Sequence, residues 1–364
     1  MTSNQTAEMP MPGGETQLRL LRVMDNNNPI YQICQELPLL AKELRKEKDA
    51  AISTSRMCED LEKDNLHGWP MVVLLLSMSQ SAIKSIIGGT VAFDANKSDC
   101  WYDQPSSGIK GAGIYVIGLA RKNSGGKFLN GAELRDLING LEQYIRGAKV
   151  INSSSNVGLS AQQLEDKKWT MKVDGIYRQA GDPTDGSVAQ FIKKNGEKSI
   201  QELVTSFKRR VTNLDTTNTV RQIQSPLYVG CSIDLNTRVN NYYRNLRDTN
   251  KPLCLTVSVL EALNLKMDII IKIALRTWKD EQLPLAERLV TTLARSLVHQ
   301  TGFNATQAGA NSTSPTRSVL SLGWRAVNIK GFLTSNSNEM EVEMDKRELF
   351  LDKLQELNQK LELA

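Results

Sequence analysis

Runs of apolar positions separated by polar stretches divide the chain into segments with different periods. Residues 1–28 are polar, with Pro, Gly and an Asn run, and are expected to be disordered. From Ile30 to Glu62 the period is helical around a charged centre, ELRKEKDAA. Trp69–Ile87, most apolar over Trp69–Met78, predicts one buried helix that stops at Gly88-Gly89. Gly113–Leu119, GIYVIGL, is β-branched, apolar and bounded by glycine, which predicts a buried strand. A helix follows over Ala132–Arg146, with Leu134, Leu137, Ile138, Leu141 and Ile145 on one face. After a Ser/Asn-rich loop at 151–160, Val173–Tyr177 reads as a strand before the turn cluster GDPTDG. Ile200–Val211 reads as a helix.

The pattern then becomes denser. Pro226–Cys231 is strand-like, and Leu235–Arg247 is helical with Ser232 or Asp234 available as its cap. Met267–Leu275 predicts another strand. Pro284 suits the first turn of a helix running to His299, striped by Leu285, Leu289, Leu293 and Leu297. Residues 305–318 are low in complexity and read as a flexible linker. In the last helix, Met344–Leu363, the positions Phe350, Leu354, Leu357 and Leu361 form a short seam. That seam suits the N-terminal helices, a second copy or a protein partner.

Composition narrows the function classes. A chain of 364 residues with 40% hydrophobic content can build two or three cored domains. The net charge of +5 is mild, but its distribution is uneven. Lys208, Arg209, Arg210, Arg221, Arg238, Arg244 and Arg247 are opposed only by Asp215 and Asp234, a field that favours a phosphate-bearing partner. The longest apolar run, Trp69–Met78, is far short of the ~20 residues a membrane span needs, and the N-terminus lacks signal-peptide character. No membrane partner is expected. Five scattered cysteines predict reduced thiols in an intracellular, nuclear or cytoplasmic protein that is not secreted. Two histidines, His67 and His299, exclude a poly-His metal site, and His299 reads as structural. No phosphate loop or dinucleotide fingerprint is present.

The candidate chemistry lies in the string from Leu227 to Tyr243, LYVGCSIDLNTRVNNYY. It predicts a strand, a glycine turn where a substrate backbone could approach Gly230, and a capped helix carrying Arg238 in its first turn. Tyr242 falls on the same helix face four residues later, so a guanidinium sits beside a phenol. Tyr115 lies in the literal GIY of the earlier strand. Farther on, a strand, Glu287 in LAERLV and Asn304 in TGFN follow in order.

This ordered set resembles the GIY-YIG nuclease family, and its second motif is most similar to that of the bacterial nucleotide-excision nuclease subunit. The resemblance implies an α+β fold: a small mixed or antiparallel three-stranded sheet flanked by helices. Residues 111–120 and 225–304 would form the core, with a helical region at 29–110, a helical insertion at 121–224 and a C-terminal extension at 319–364. It implies an endonuclease hydrolysing DNA, more than RNA, with one Mg²⁺ or Mn²⁺ held by Glu287. Arg238 would neutralise the phosphate, and Tyr115, Tyr228 and Tyr242 would surround the attacking water. Gly230, Arg244, Asn304, Lys208, Arg209 and Arg210 would contact substrate. In the family GIY and YIG share a hairpin, whereas Tyr115 and Tyr228 are here 113 residues apart. Gly175-Ile176-Tyr177 therefore stands as an alternative first motif, and a catalytically degenerate nucleic-acid-binding or interaction protein as the alternative function.

Overall fold

A computed structural model describes residues 14–309 with gaps at 26–30, 48–51, 68, 97–99, 104–110, 154–157, 178–187, 193–195, 212–216, 245, 247–249 and 278–279, and beyond them only 349, 352, 353 and 360. The seam positions Phe350, Leu354, Leu357 and Leu361 and residues 310–318 of the expected linker lie outside the described residues.

The N-terminal part contains α1 (Glu15–Asp25), α2 (Tyr31–Lys46), α3 (Ser55–His67), α4 (Trp69–Leu76) and α5 (Gln80–Gly88). Helix α1 overturns the disorder expected there. Its Thr16, Leu20 and Met24 recur every four residues, so one face is buried. Thr16 also donates to Glu43 on α2 through both its N–H and its hydroxyl. The single helix expected over Trp69–Ile87 is instead two. Ser79 interrupts it by accepting the Ala82 N–H as the cap of α5. The predicted stop holds, because Gly89 closes α5 in the left-handed conformation.

Three strands form one antiparallel sheet in the order β2-β1-β3: β1 is Gly113–Arg121, β2 Leu227–Ser232 and β3 Met267–Arg276. The fold is α+β, as expected. Strand β1 is central and buried at all but its last residue, which explains why GIYVIGL shows no polar alternation. Its register on β2 sets Tyr115 opposite Gly230 and Ile117 opposite Tyr228.

Between β1 and β2 the chain makes α6 (Gly131–Asn152), α7 (Ala161–Gly175) and α8 (Glu197–Arg210). The strand expected at Val173–Tyr177 is wrong. A capping box between Ser160 and Gln163 starts α7, and Trp169 ties it to α6 by donating to Gly140 O at 2.8 Å. Those interactions carry the helix through the β-branched Val173, and Tyr177 is not on a strand. The two ends of this excursion are joined. Phe128 N–H donates to Gln222 O at 2.7 Å and Gln222 N–H to Leu129 O at 3.2 Å. Glu133 accepts from both Arg121 and Arg221 across the same root. With its root closed, a long loop adds little to the entropy of pairing β1 with β2.

Helices α9 (Leu235–Arg244), α10 (Lys251–Ala262) and α11 (Leu283–Ala294) complete the described part. Helix α10 has no counterpart in the sequence pattern, because it is buried all round, Thr256 and Ser258 included, and shows no polar face. It packs on α6, α7 and α8, so core and excursion share one hydrophobic cluster. Helix α11 stops earlier than expected, at Arg295 in the left-handed conformation, φ 47°. His299 lies beyond it, with its Nε2 hydrogen-bonded to Glu47 Oε2 at 2.8 Å. The start of the expected linker is packed instead, with Ala308 buried. All five cysteines are free. Among the described residues no helix is long and apolar enough to cross a membrane.

Candidate active site

The site begins at the centre of the sheet. Period-two alternation puts Tyr115, Gly230 and Tyr228 on one face of the β1–β2 ladder. A methyl group at Gly230 would overlap the Tyr115 phenol, so this glycine makes room for the ring. That corrects the expectation that its space serves a substrate backbone. The Tyr115 and Tyr228 ring centroids are 6.3 Å apart.

Helix α9 closes over these rings. Asp234 starts it by accepting the N–H of Thr237 at 3.0 Å, with Ser232 in turn accepting the Asp234 N–H. Arg238 follows in the first turn and Tyr242 one turn later, on the same face. The Arg238 guanidinium lies 4.9 Å from the Tyr242 ring centroid, and its Nε donates to the Tyr115 hydroxyl at 3.4 Å. The Tyr115 and Tyr242 hydroxyls are 2.6 Å apart. Tyr115 and Tyr242 are the buried floor of the site. Tyr228, Cys231, Arg238 and Glu287 are half-buried at its edge.

Glu287 enters from α11. Its Oε2 accepts the Gly309 N–H at 2.8 Å and the Cys231 thiol at 3.3 Å. Among the described residues both of these bonds fall on Oε2, which leaves Oε1 outside them. Neither Cys231 nor Gly309 stood out in the sequence. The Cys231 contact spans 56 residues, and Gly309 belonged to an expected linker, so no local spacing could signal either.

The electrostatics follow from burial. Desolvation, then the neighbouring Tyr228 and Tyr242, push the Tyr115 pKa well above its ordinary value. Tyr228 is raised by burial, by Tyr242 and by Glu287. Burial works against the Arg238 charge, but the phenols of Tyr115, Tyr242 and Tyr228 outweigh it and raise its pKa. Glu287 is raised by burial, an effect the Gly309 N–H and Cys231 only partly offset. The cluster thus holds the Arg238 cation, two phenols whose ionisation burial opposes, Tyr115 and Tyr228, and a carboxylate whose charge is poorly solvated.

The remaining predicted residues lie elsewhere. Asn304 is buried, and its carboxamide spans the main chain of Val229: Oδ1 accepts the N–H at 2.9 Å and Nδ2 donates to the C=O at 2.7 Å. It holds β2 in place and does not present itself to a substrate. Arg210 is 3% exposed and faces no surface that a polynucleotide could reach. Arg209 donates to the carbonyls of His299 and Gln300, and Lys208 pairs with Glu142 at 2.6 Å. Of the basic run at the end of α8 only Arg210 is buried, and Lys208 and Arg209 stay exposed while making these bonds, because helix period sends successive residues to different faces. Arg244 ends α9, and its side chain lies outside the described residues.

A carboxylate with one oxygen held by N–H and S–H donors offers the other to a hard cation. Among the described residues no group of three or more His, Cys, Asp or Glu side chains could hold a metal ion, so water and substrate oxygens would have to complete any coordination here. No protein-family model, curated protein or solved structure matches the chain.

Proposed function

We propose that the chain is a metal-dependent endonuclease that hydrolyses DNA phosphodiester bonds on a GIY-YIG-like core. One observation carries this reading. Tyr115, Tyr228, Arg238, Tyr242 and Glu287, singled out by motif order, come together in one cluster although Tyr115 is 127 residues from Tyr242. The antiparallel order β2-β1-β3, with the GIY strand central, agrees with it.

In this reading Glu287 would hold a single Mg²⁺ or Mn²⁺, which would supply charge stabilisation at the scissile phosphate. Arg238 neutralises a nonbridging oxygen, for which its planar fork is suited. Tyr115 orients the attacking water through the Tyr115–Tyr242 pair. Its raised pKa keeps the phenol protonated at neutral pH, so in this reading it acts as a hydrogen-bonding group toward the water and not as the base. Asn304 keeps β2 in register beneath the site.

The same burial of the Tyr115 hydroxyl favours a second reading, a nucleic-acid-binding protein on a degenerate core. A plasmid assay separates the two. Purified chain with Mg²⁺ or Mn²⁺ should convert supercoiled DNA to open circles, and Glu287→Gln should stop conversion while retaining DNA binding. Wild type that binds DNA yet cleaves neither DNA nor RNA with either ion would leave only the second reading.

A further inference from the structure

A cavity of about 470 Å³ lies away from the cleft, toward the Gly118↔Leu227 end of the β1–β2 ladder. It is lined by residues of α1 and α5, the last residue of α8, the segment before β2 and the end of α11, and it opens to the surface. Gln17, Asp94, Arg210, Gln224, Ala294 and Thr301 are on its walls. The volume falls in the range of roughly 300–1,000 Å³ usual for small-molecule sites.

Arg210 supplies the charge. It is 3% exposed. Its Nη1 donates to Gln222 Oε1 at 3.3 Å and to Gln224 O at 3.2 Å, and Cζ lies 5.9 Å from the Phe128 ring centroid. These partners are all neutral. No described carboxylate pairs with it, and its Nε, though buried, has no hydrogen-bond partner. Gln224 Oε1, a residue of the same wall, is also buried without a partner. The nearby carboxylate of Asp94 is engaged by the hydroxyls of Ser85, at 2.7 Å, and Thr90. Lys84, also on the wall, pairs with Asp25. Burial alone lowers the Arg210 pKa to about 9, as expected for a cation without a counter-charge. Desolvating an unpaired guanidinium is costly, and an anion beside it removes much of that cost.

We propose that this cavity binds a small oxyanion, the phosphate or carboxylate group of a low-molecular-weight ligand, with Arg210 as its cation. The free Nε belongs to a planar fork suited to two oxygens of one group. Gln224 Oε1 accepts from an N–H or O–H on the rest of the ligand. An occupant would tie α1 and α5 to α8 and α11, at a place separate from the Tyr115 cleft. The proposal does not depend on the nuclease reading.

Calorimetric titration of the full chain at constant ionic strength tests it, with inorganic phosphate in one arm, acetate in another and chloride as control. At least one oxyanion should bind saturably, and Arg210→Gln should weaken that binding at least tenfold. Phosphate binding alone identifies a phosphorylated ligand, and acetate binding alone a carboxylic acid. Binding no stronger than chloride in both arms, or undiminished in Arg210→Gln, overturns the proposal. Should Arg210→Gln not fold, Ala294→Leu fills the cavity while keeping the guanidinium, and unchanged oxyanion affinity in that variant overturns it equally.

Discussion

The hydroxyl oxygens of Tyr115 and Tyr242 lie 2.6 Å apart, one from the central strand and one from the helix closing over it. With Arg238 donating to the same Tyr115 oxygen, the pair joins strand, helix and cation in one hydrogen-bonded unit. Removing one hydroxyl tests that unit while leaving the ring packing intact. Tyr115→Phe should lower plasmid nicking by about 10²–10⁴-fold, the usual contribution of a positioned proton-transfer group. Its stability should fall by roughly 1–3 kcal/mol, because the buried Tyr242 hydroxyl loses its partner. Tyr177→Phe should nick as wild type, because Tyr177 follows α7 and lies on no strand. A Tyr177→Phe loss matching that of Tyr115→Phe would refute the assignment of the first motif.

The raised phenols give stability a definite pH dependence. Tyr115 and Tyr228 have folded pKa values above the ordinary 10.0. The unfolded chain therefore ionises them first as pH rises. Their contribution is fully present below pH 10 and is lost as pH climbs toward the folded values. The urea midpoint should fall between about pH 9 and pH 11, and fall less steeply in Tyr228→Phe. Equal slopes for the two proteins would contradict the assignment.

Glu287 should behave in the opposite way to a stabilising carboxylate. Its pKa is raised, so its contribution is intact below the ordinary 4.5 and is lost as pH rises through the folded value. At neutral pH, without divalent ions, Glu287→Gln should melt at a higher temperature than wild type. Mg²⁺ or Mn²⁺ should raise the wild-type melting temperature and leave that of the variant unchanged. Differential scanning calorimetry with and without each ion checks both statements.

Asn304→Ala would strip the buried N–H and C=O of Val229 of their side-chain partners. Each unsatisfied group costs roughly 1–3 kcal/mol. Denaturant unfolding should show a loss in that range or its double, with nicking reduced in proportion to the folded fraction. An undiminished unfolding free energy would mean that β2 is held by other contacts.

At Gly230 the expected effect is on geometry alone. Gly230→Ala keeps every functional group but places a methyl in the Tyr115 ring. The ring must shift away from Tyr242, so nicking should fall by at least tenfold while DNA affinity changes little, a split measurable by parallel cleavage and gel-shift assays.

Much of the sheet was legible from local pattern. GIYVIGL, PLYVGC and MDIIIKIAL each carry a dense apolar run between breakers, and each is a strand. Helix α10 was not legible, because a helix buried on every side has little period to detect. Helix α1 stands in the sequence as a short apolar cluster, Leu18, Leu20, Leu21, Val23 and Met24, masked by the polar stretches on either side of it, and α2 and α5 bury one face of it. Val173–Tyr177 was misread because local β-branching was outweighed by a capping box more than ten residues earlier.

The site divides in the same way. Motif order placed Tyr115, Tyr228, Arg238, Tyr242 and Glu287 on their elements, since strand alternation and helix period are local properties of the chain. Everything that depends on distance between elements was decided by tertiary structure. The joined root at Phe128 and Gln222 lets β1 pair with β2 across the excursion. Gly230 yields its space to a ring from another strand, and Asn304 holds a backbone 75 residues away. Arg210, one of seven basic residues in a single stretch, became a buried cation beside a cavity. A sequence states which groups are available and on which face of an element they stand. Desolvation and partnership arise only when those faces meet, and they set the charge each group carries.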